Sequence, residues 1–276
     1  MKITVVIATY NAEKTLEACL DSIRKQTYCD LEVVVADGAS SDQTLQILNA
    51  HASEIAVMVS EKDRGIYDAW NKVIPRATGE WLIFLGADDA LWDSDTLANA
   101  AIALAAAREN IVYGKIAVIL PDNEILNFEG EPWEKVCRKF RHEMTIPHQG
   151  TFHRRTLFQK YGLFNPDFRI CGDYEFLLRE LKHQPARFIP NLVISRMGFG
   201  GISSNYKNVA IIIRELGLAR KLNGFYFPSP YILFRKIRYF IRNFLTKIFG
   251  KRSSDVLADT YRRLTGRARL WGRFHD

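Results

Sequence analysis

The sequence predicts an α/β fold in which a mostly parallel sheet is flanked by helices. Short apolar runs of strand length alternate with helical patterns over residues 3–90, an order typical of parallel strands joined by crossover helices. Each apolar run is followed by a polar cluster. With 276 residues and 47% hydrophobic content, the chain can bury one substantial core and carry an appendage.

Runs rich in Val, Ile and Leu predict four buried strands, at residues 3–8, 31–36, 56–59 and 81–85. Apolar residues at helical spacing predict helices between them, at residues 14–26 and 44–52 and through Ala69 and Val73. The second half predicts a helix over 94–109 capped by Ser94, a hairpin of strands at 111–120 and 124–128, and a helix over 174–181.

Polar clusters follow all four predicted strands: Thr9-Tyr10-Asn11, Asp37-Gly38, Asp63-Arg64-Gly65 and Asp88-Asp89. Ligands of open α/β sheets bind beyond the carboxyl ends of the strands, so these clusters are expected to meet. Asp can accept from a base or ribose, and Arg can contact phosphate. Polar loops explain any one cluster, but four coincident clusters favour a nucleotide site. The sequence has no G-x-G-x-x-G and no P-loop Lys.

The adjacent carboxylates Asp88 and Asp89 repel each other unless a cation or strong donors lie between them. Oxygen ligands of this kind suit Mg²⁺ or Mn²⁺, which bridge to phosphate oxygens. The alternative for this pair is a helix cap.

Two further segments carry candidate functional residues. At 172–173 a Gly-Asp pair precedes a predicted helix, and an Asp there is usually only a cap. The segment 198–204 is rich in glycine, which fits either a flexible turn or a loop over a diphosphate.

These motifs, in this order, resemble the family 2 glycosyltransferases of the GT-A fold. The resemblance is carried by Val5-Val-Ile-Ala-Thr-Tyr-Asn11, Val35-Ala-Asp-Gly-Ala-Ser-Ser-Asp42, Arg64-Gly-Ile-Tyr-Asp-Ala-Trp-Asn71, Ala77-Thr-Gly-Glu-Trp81 and the Asp88-Asp89 strand end. It spans about residues 1–205. It implies a Rossmann-like catalytic domain with a nucleotide-binding half over about 1–110 and an acceptor half over about 111–205.

The resemblance also implies roles for individual residues. A nucleotide sugar, expected to be UDP-linked, would be bound by Thr9, Tyr10, Asn11, Asp37, Arg64 and Asp88. Mg²⁺ or Mn²⁺ would be held by Asp88 and Asp89. The family's first acidic position is Gly86 here, so Asp88 is expected to make most of the metal contact. Asp173 matches the family's catalytic base, and His148 and Gln149 fall on its acceptor side. A zinc site at His148 and His153 is disfavoured because Pro147 and Gly150 indicate extended chain.

The expected reaction is transfer of the sugar to an acceptor hydroxyl with inversion, because a single displacement assisted by one base inverts the anomeric carbon. A retaining hydrolase would need a close pair of carboxylates, and the order of the motifs argues against it. The expected acceptor is a saccharide or a polyprenyl-diphosphate-linked sugar in bacterial polysaccharide assembly. The alternative, suggested by Gly86, is a sugar-nucleotide-binding protein without catalysis.

Residues 206–276 predict a basic helical tail. Residues 207–276 carry 16 Lys and Arg against 4 Asp and Glu, whereas residues 1–206 carry 22 against 27. Over 231–249 one helical face collects the large apolar residues, and most basic residues lie elsewhere. The apolar set is Leu233, Ile237, Phe240, Ile241, Phe244, Leu245 and Ile248, and the basic set is Arg235, Arg238, Arg242 and Lys247. This pattern favours an anionic membrane surface over nucleic acid, with an ordinary packing helix as the alternative.

The four cysteines are scattered, which favours a reducing compartment. The apolar run at the amino terminus is too short for a signal peptide, and no apolar stretch is long enough for a spanning helix. The sequence therefore predicts a cytoplasmic protein, peripheral on the inner face of the membrane.

Overall fold

The computed structural model describes residues 1–202 and 206–264. The chain divides into two units, Met1–Tyr226 and Phe227–Asp276. This division lies beyond the predicted boundary after residue 205, so the first part of the predicted tail belongs to the larger unit. The predicted division of residues 1–205 into two halves stays a prediction.

The larger unit begins with the predicted alternation of strands and helices. Its elements are β1 (Ile3–Thr9), α1 (Leu16–Arg24), β2 (Leu31–Asp37), α2 (Thr44–Ala50), β3 (Val57–Ser60), α3 (Ile66–Val73) and β4 (Trp81–Gly86). They continue with β5 (Ala90–Leu91), α4 (Thr96–Ala105), β6 (Ile111–Ile119), β7 (Ile125–Glu129), α5 (Trp133–Phe140), β8 (Thr151–Arg154), α6 (Thr156–Tyr161), α7 (Gly172–Leu181), β9 (Arg187–Gly198) and α8 (Val209–Leu222). Short 3-10 turns lie at Ile74–Arg76, His148–Gly150 and Tyr206–Asn208.

The strands form one sheet in the order β3-β2-β1-β4-β8-β6-β9-β5, with β7 paired to β6. The strands β3, β2, β1 and β4 are parallel, whereas β8 runs antiparallel to both β4 and β6. Thr9 pairs with Asp37, Asp37 with Ser60, and Ala8 with Gly86. The α/β class is confirmed, with a mixed rather than uniformly parallel sheet, and the first four strands end along one edge.

Both faces of the central strands are buried because β4 sends alternate side chains to opposite sides. Ile83 and Leu85 belong to the aliphatic core that includes Leu16 of α1. Phe84 points to the other face, where its ring lies 4.8 Å from that of Trp70 and 5.2 Å from that of Phe164. The helices α1 and α3 therefore cover opposite faces of the same strand, as crossover connections require.

One predicted cap and several strands differ from the sequence-based expectation. The helix α4 begins at Thr96 instead of Ser94, and the Thr96 hydroxyl donates to the Asp93 carboxylate at 2.9 Å. The Ser94 carbonyl accepts from the Thr27 backbone N–H at 2.8 Å, so Ser94 joins this loop to the loop after α1. The strands β5 and β9 were not predicted, whereas β8 lies in the stretch beside Pro147 and Gly150 where extended chain was expected. The glycine-rich segment 198–204 lies partly outside the described residues.

The smaller unit contains the helix α9, Pro230–Leu264, which is interrupted at Gly250 with φ 76° and ψ 168°. A series of large apolar side chains on α9 is exposed: Leu233, Phe234, Ile237, Phe240, Ile241, Phe244 and Ile248. In the part of the chain that the structure describes, no helix combines the length and apolar character needed to span a bilayer.

Candidate active site

The end of β2 holds Asp37 in a buried position, only 2% exposed. Its carboxylate accepts hydrogen bonds from the backbone N–H and the hydroxyl of Ser40, at 3.1 and 2.5 Å, and from the Ser60 hydroxyl at 2.6 Å. Gly38 follows, and a Cβ there would lie 2.5 Å from a carboxylate oxygen of Asp63. Glycine therefore lets Asp63 approach this strand end. Asp63 lay in the third polar cluster but was not among the predicted binding residues.

The end of β1 turns at Asn11, whose φ is 48°. The Asn11 backbone N–H donates to the Ser40 hydroxyl, and the Asn11 side-chain oxygen accepts from the Ser41 backbone N–H, each at 2.9 Å. The Tyr10 side chain is 66% exposed. The Thr9 hydroxyl is buried and has no hydrogen-bond partner among the described residues. The turn thus joins the loops after β1 and β2, keeps the Thr9 hydroxyl buried and leaves the Tyr10 ring exposed where a ligand can contact it.

A cavity of about 310 Å³ opens where β1, β4 and α3 meet. The predicted residues Tyr10, Asn11 and Asp88 line it, together with Ala8, Ala12, Thr15, Ile66, Gly86 and Ala87. Its size lies at the lower end of the range for small-molecule sites, about 300–1,000 Å³. The structure therefore brings two of the four polar clusters into one concave surface beyond the strand ends.

Arg64 stands just before α3, and its side chain is 65% exposed. Asp68 accepts from the Arg64 backbone N–H at 3.1 Å and lies 3.5 Å from its guanidinium. Gly65 has φ 134°, outside the range that other residues adopt without strain, and its N–H donates to Asp63 at 2.9 Å. These contacts fix the backbone while the guanidinium faces solvent, where it can contact an anionic group.

The two carboxylates after β4 have different environments. Asp88 is exposed and lines the cavity, whereas Asp89 is 4% exposed and accepts from the Gly86 backbone N–H at 2.8 Å. Burial, and then the nearby Asp88 charge, raise the pKa of Asp89 to about 8. A Cβ at position 86 would lie 2.7 Å from an Asp88 carboxylate oxygen. Gly86 therefore lets both carboxylates fold back toward the end of β4.

The donor set at this position fits a divalent cation shared with a ligand. Two adjacent carboxylates, one of them destabilised by burial, favour a positive charge between them. Over residues 1–202 and 206–264 no group of three or more His, Cys, Asp or Glu side chains is placed to hold a metal. A pair of protein carboxylates suits Mg²⁺-type ions, which complete their shell with phosphate oxygens and water.

Asp173 lies half-buried in the first turn of α7. Its Oδ1 accepts from the Tyr174 backbone N–H at 2.7 Å and lies 3.2 Å from the Tyr67 hydroxyl. Burial raises the pKa of Asp173 to about 6. A carboxylate with this pKa is mostly ionised at neutral pH and is basic enough to take a proton from an attacking hydroxyl. Tyr67 directly follows Ile66, which lines the cavity, so the α3 residue that contacts Asp173 is the sequence neighbour of one that lines the cavity.

The predicted acceptor-side residues, His148 and Gln149, lie in the turn beside β4, and neither is exposed. His148 is buried, with its ring stacked 5.4 Å from that of Phe84. Burial lowers the pKa of His148 well below its usual value and that of His153 to about 3, so both imidazoles are neutral at pH 7. Gln149 is half-buried, and its carbonyl accepts from the Ser195 hydroxyl at 2.9 Å. Their role toward an acceptor stays a prediction.

The fold and the site together define a glycosyltransferase of the GT-A type. Residues 4–161 match the family model described as glycosyl transferase family 2, and the chain belongs to this family. A "PGL/p-HBAD biosynthesis glycosyltransferase" of Mycobacterium tuberculosis is 37% identical over 209 residues, which is 73% of this chain and 78% of the relative. The "UDP-Glc:alpha-D-GlcNAc-diphosphoundecaprenol beta-1,3-glucosyltransferase WfgD" of Escherichia coli is 30% identical over 118 residues, 42% of this chain and 46% of that protein.

Solved structures agree on the fold. S. aureus TarS 1-349, solved with UDP-GlcNAc, superposes with a TM-score of 0.64 at 18% identity, covering 90% of this chain and 73% of the TarS 1-349 chain. A mannosyltransferase of Pyrobaculum calidifontis, solved with GDP-Man and Mn2+, gives a TM-score of 0.61 at 24% identity, covering 87% of this chain and 70% of its own. The predicted GT-A fold and the predicted glycosyltransferase activity are confirmed.

Proposed function

We propose that this glycosyltransferase moves a sugar from a UDP-sugar to an acceptor hydroxyl with inversion, and that Asp173 is the general base. The observation that supports this most is the connection made by α3, where Ile66 lines the donor cavity and Tyr67 contacts Asp173. The choice of a UDP-sugar is supported by the resemblance of the strand ends and by a relative and a neighbour named for UDP-sugars. Asp37, Asn11 and Tyr10 would hold the nucleoside, and Arg64 would contact phosphate.

In the proposed reaction the acceptor oxygen attacks the anomeric carbon on the face opposite the diphosphate. The bond from that carbon to the phosphate oxygen breaks, its electron pair leaves with UDP, and Asp173 takes the proton of the acceptor hydroxyl. One displacement inverts the configuration. Arg64 would stabilise negative charge on the departing diphosphate.

Asp88 and Asp89 would hold Mg²⁺ or Mn²⁺, which when bound stabilises charge on the leaving diphosphate. Support comes from the paired carboxylates, of which Asp88 lines the cavity, and from the Pyrobaculum calidifontis neighbour solved with Mn2+. Asp88 would make the main contact because it faces the cavity, whereas Asp89 is turned toward the Gly86 N–H.

Replacing Asp88 with Ala is therefore expected to weaken Mn²⁺-dependent UDP binding more than Asp89→Ala does. Removal of a carboxylate ligand is expected to cost on the order of tenfold or more in affinity, since ligand charge sets the affinity of such sites. Calorimetric titration of UDP with and without Mn²⁺ measures this directly. The exposed Asp95 provides a control in Asp95→Ala. Equal gains from Mn²⁺ in the wild type and in Asp88→Ala would contradict the assignment.

The proposed acceptor is a lipid-linked saccharide at the inner face of the membrane, reached from the cytoplasm. Its support is the named acceptor of the Escherichia coli relative together with α9, whose apolar side chains are exposed beside Arg and Lys. A helix of this composition binds in the interface of an anionic bilayer. Each basic residue near such a surface contributes on the order of 1 kcal/mol.

A further inference from the structure

The backbone just before Asp173 is bound by a carboxylate from a distant helix. Glu215 of α8 is 2% exposed, and its two oxygens accept from the backbone N–H groups of Arg169, Ile170 and Cys171, each at 2.9 Å. A buried carboxylate is stable only with such donors. These three N–H groups belong to the segment that leads into α7 and ends at its N-cap Cys171, so Glu215 fixes the backbone from which the helix starts. Glu215 lies outside the region matched by the family model.

The same segment is bound from its carbonyl side by α3. The Tyr67 hydroxyl donates to the Ile170 carbonyl at 2.6 Å, and it lies 3.2 Å from Oδ1 of Asp173. Its ring packs against Gly172, where a Cβ would come within 2.8 Å of ring carbons. Any larger residue at position 172 would push the ring away and separate the hydroxyl from Asp173. The position of the Tyr67 hydroxyl beside Asp173 therefore requires glycine at position 172.

From this geometry we infer that Tyr67 and Glu215 are positioning residues for Asp173, holding residues 169–171 between them so that the carboxylate keeps one place before and after proton transfer. The inference rests on the proposed role of Asp173 as the base. The Tyr67 hydroxyl has one proton, which it can donate to the Asp173 carboxylate or to the Ile170 carbonyl. While Asp173 is ionised, the hydroxyl can donate to Oδ1. When Asp173 gains a proton from the acceptor, it can donate to the Tyr67 oxygen, and Tyr67 then donates to Ile170. Tyr67 is thus a hydrogen-bond partner of Asp173 in both protonation states.

The two residues act on the acidity of Asp173 in opposite directions. The Tyr67 hydroxyl, from α3, stabilises the ionised carboxylate and lowers the pKa of Asp173, as does the Tyr174 backbone N–H of α7. The negative charge of Glu215, from α8, raises that pKa. Burial has the larger effect and sets the pKa at about 6. Tyr67→Phe should therefore raise the pKa of Asp173, and Glu215→Gln should lower it.

The test is the pH dependence of kcat and KM for UDP release from UDP-glucose or UDP-GlcNAc with Mn²⁺ and water as acceptor. We expect kcat to fall on the order of 10- to 100-fold in both variants, since small misplacements of a reacting group cost rates of this order. The KM for the donor should change by less than about threefold, because the residues contact Asp173 and its loop, not the donor cavity. The acidic limb should move to higher pH in Tyr67→Phe and to lower pH in Glu215→Gln.

The chain offers a matched control pair at the far end of α7. The Tyr161 hydroxyl donates to Glu180 at 2.8 Å, and Glu180 is 1% exposed and also accepts from Asn110 and Lys160. Tyr161→Phe and Glu180→Gln therefore lose comparable buried bonds without touching Asp173. We expect them to leave the pH profile of kcat in place. If Glu215→Gln fails to fold, Glu215→Asp takes its place in the test. A kcat of Glu215→Asp between that of Glu215→Ala and that of the wild type would then support the inference.

Two outcomes separate this inference from the proposed function. If Asp173→Asn is inactive while Tyr67→Phe keeps the wild-type pH profile and kcat, Asp173 remains the base and the positioning role is wrong. If Asp173→Asn turns over like the wild type, the proposed base is wrong and the inference falls with it.

Discussion

Replacing Asp173 with Asn is expected to lower sugar transfer by roughly 10²–10⁴-fold, the usual effect of losing a general base. Asn keeps the shape of Asp and can still accept from the Tyr174 N–H, so the fold and UDP binding should be unchanged. The measurement is kcat for transfer together with calorimetry of UDP binding. Asp167→Asn is the control, because Asp167 is exposed on the loop before the base. A variant at Asp173 with near-normal transfer would remove this residue from the mechanism.

Reversing the charge of Arg235, Arg238 and Arg242 to Glu is expected to release the protein from anionic vesicles. Losing three basic residues costs about 3 kcal/mol of surface attraction, and the new negative charges add repulsion. The partition coefficient should therefore fall by more than about a hundredfold. Truncation of α9 is a weaker test because it changes many contacts at once.

Sedimentation with vesicles containing phosphatidylserine measures this effect. A control of equal net charge reverses the exposed Lys14, Lys25 and Arg108 of the larger unit. If both triple variants sediment as the wild type does, α9 is a structural helix and the membrane assignment is wrong. Loss of sedimentation in both variants would point to net charge rather than to α9.

The meeting of the proposed nucleotide-binding residues at one edge of the sheet was predictable because its signals are local. The buried strands β1, β2 and β4 appear as continuous apolar runs, and parallel pairing then forces their ends to one edge. The register that places Thr9 beside Asp37 follows from that pairing. The order of motifs alone was sufficient to identify the GT-A fold.

The environment of Asp173, the proposed base, was not predictable because it depends on distant contacts. Asp173 could be placed at a helix N-terminus, but its partner Tyr67 lies 106 residues away in the chain. Glu215 fell in a segment whose positive charge suggested a tail, and nothing in its local pattern indicates a buried carboxylate. Similarly, His148 is buried against the ring of Phe84, and the residues around His148 in the sequence do not indicate this contact.

The different environments of the adjacent carboxylates Asp88 and Asp89 also could not be predicted from the sequence. Asp88 and Asp89 are equivalent in a motif, yet one faces the cavity and the other accepts from the Gly86 N–H. The direction of each side chain depends on the turn after β4, in which the Asp89 N–H donates to the Gly86 carbonyl at 3.1 Å. Gly86 replaces the first acidic residue of the family motif, and the space it leaves is occupied by these carboxylates.

The most direct test of the proposed activity is analysis of the product formed from a panel of UDP-sugars with Mn²⁺ and a GlcNAc-diphosphoundecaprenol acceptor, by mass spectrometry and by proton NMR of the new anomeric centre. We expect one UDP-sugar to yield a product heavier by a single glycosyl residue, joined through a β linkage when the donor is an α-linked UDP-sugar, and no such product from Asp173→Asn. An α linkage in that product would contradict the inverting mechanism, and binding of UDP without transfer from any donor to lipid-linked or free saccharide acceptors would contradict the proposed reaction.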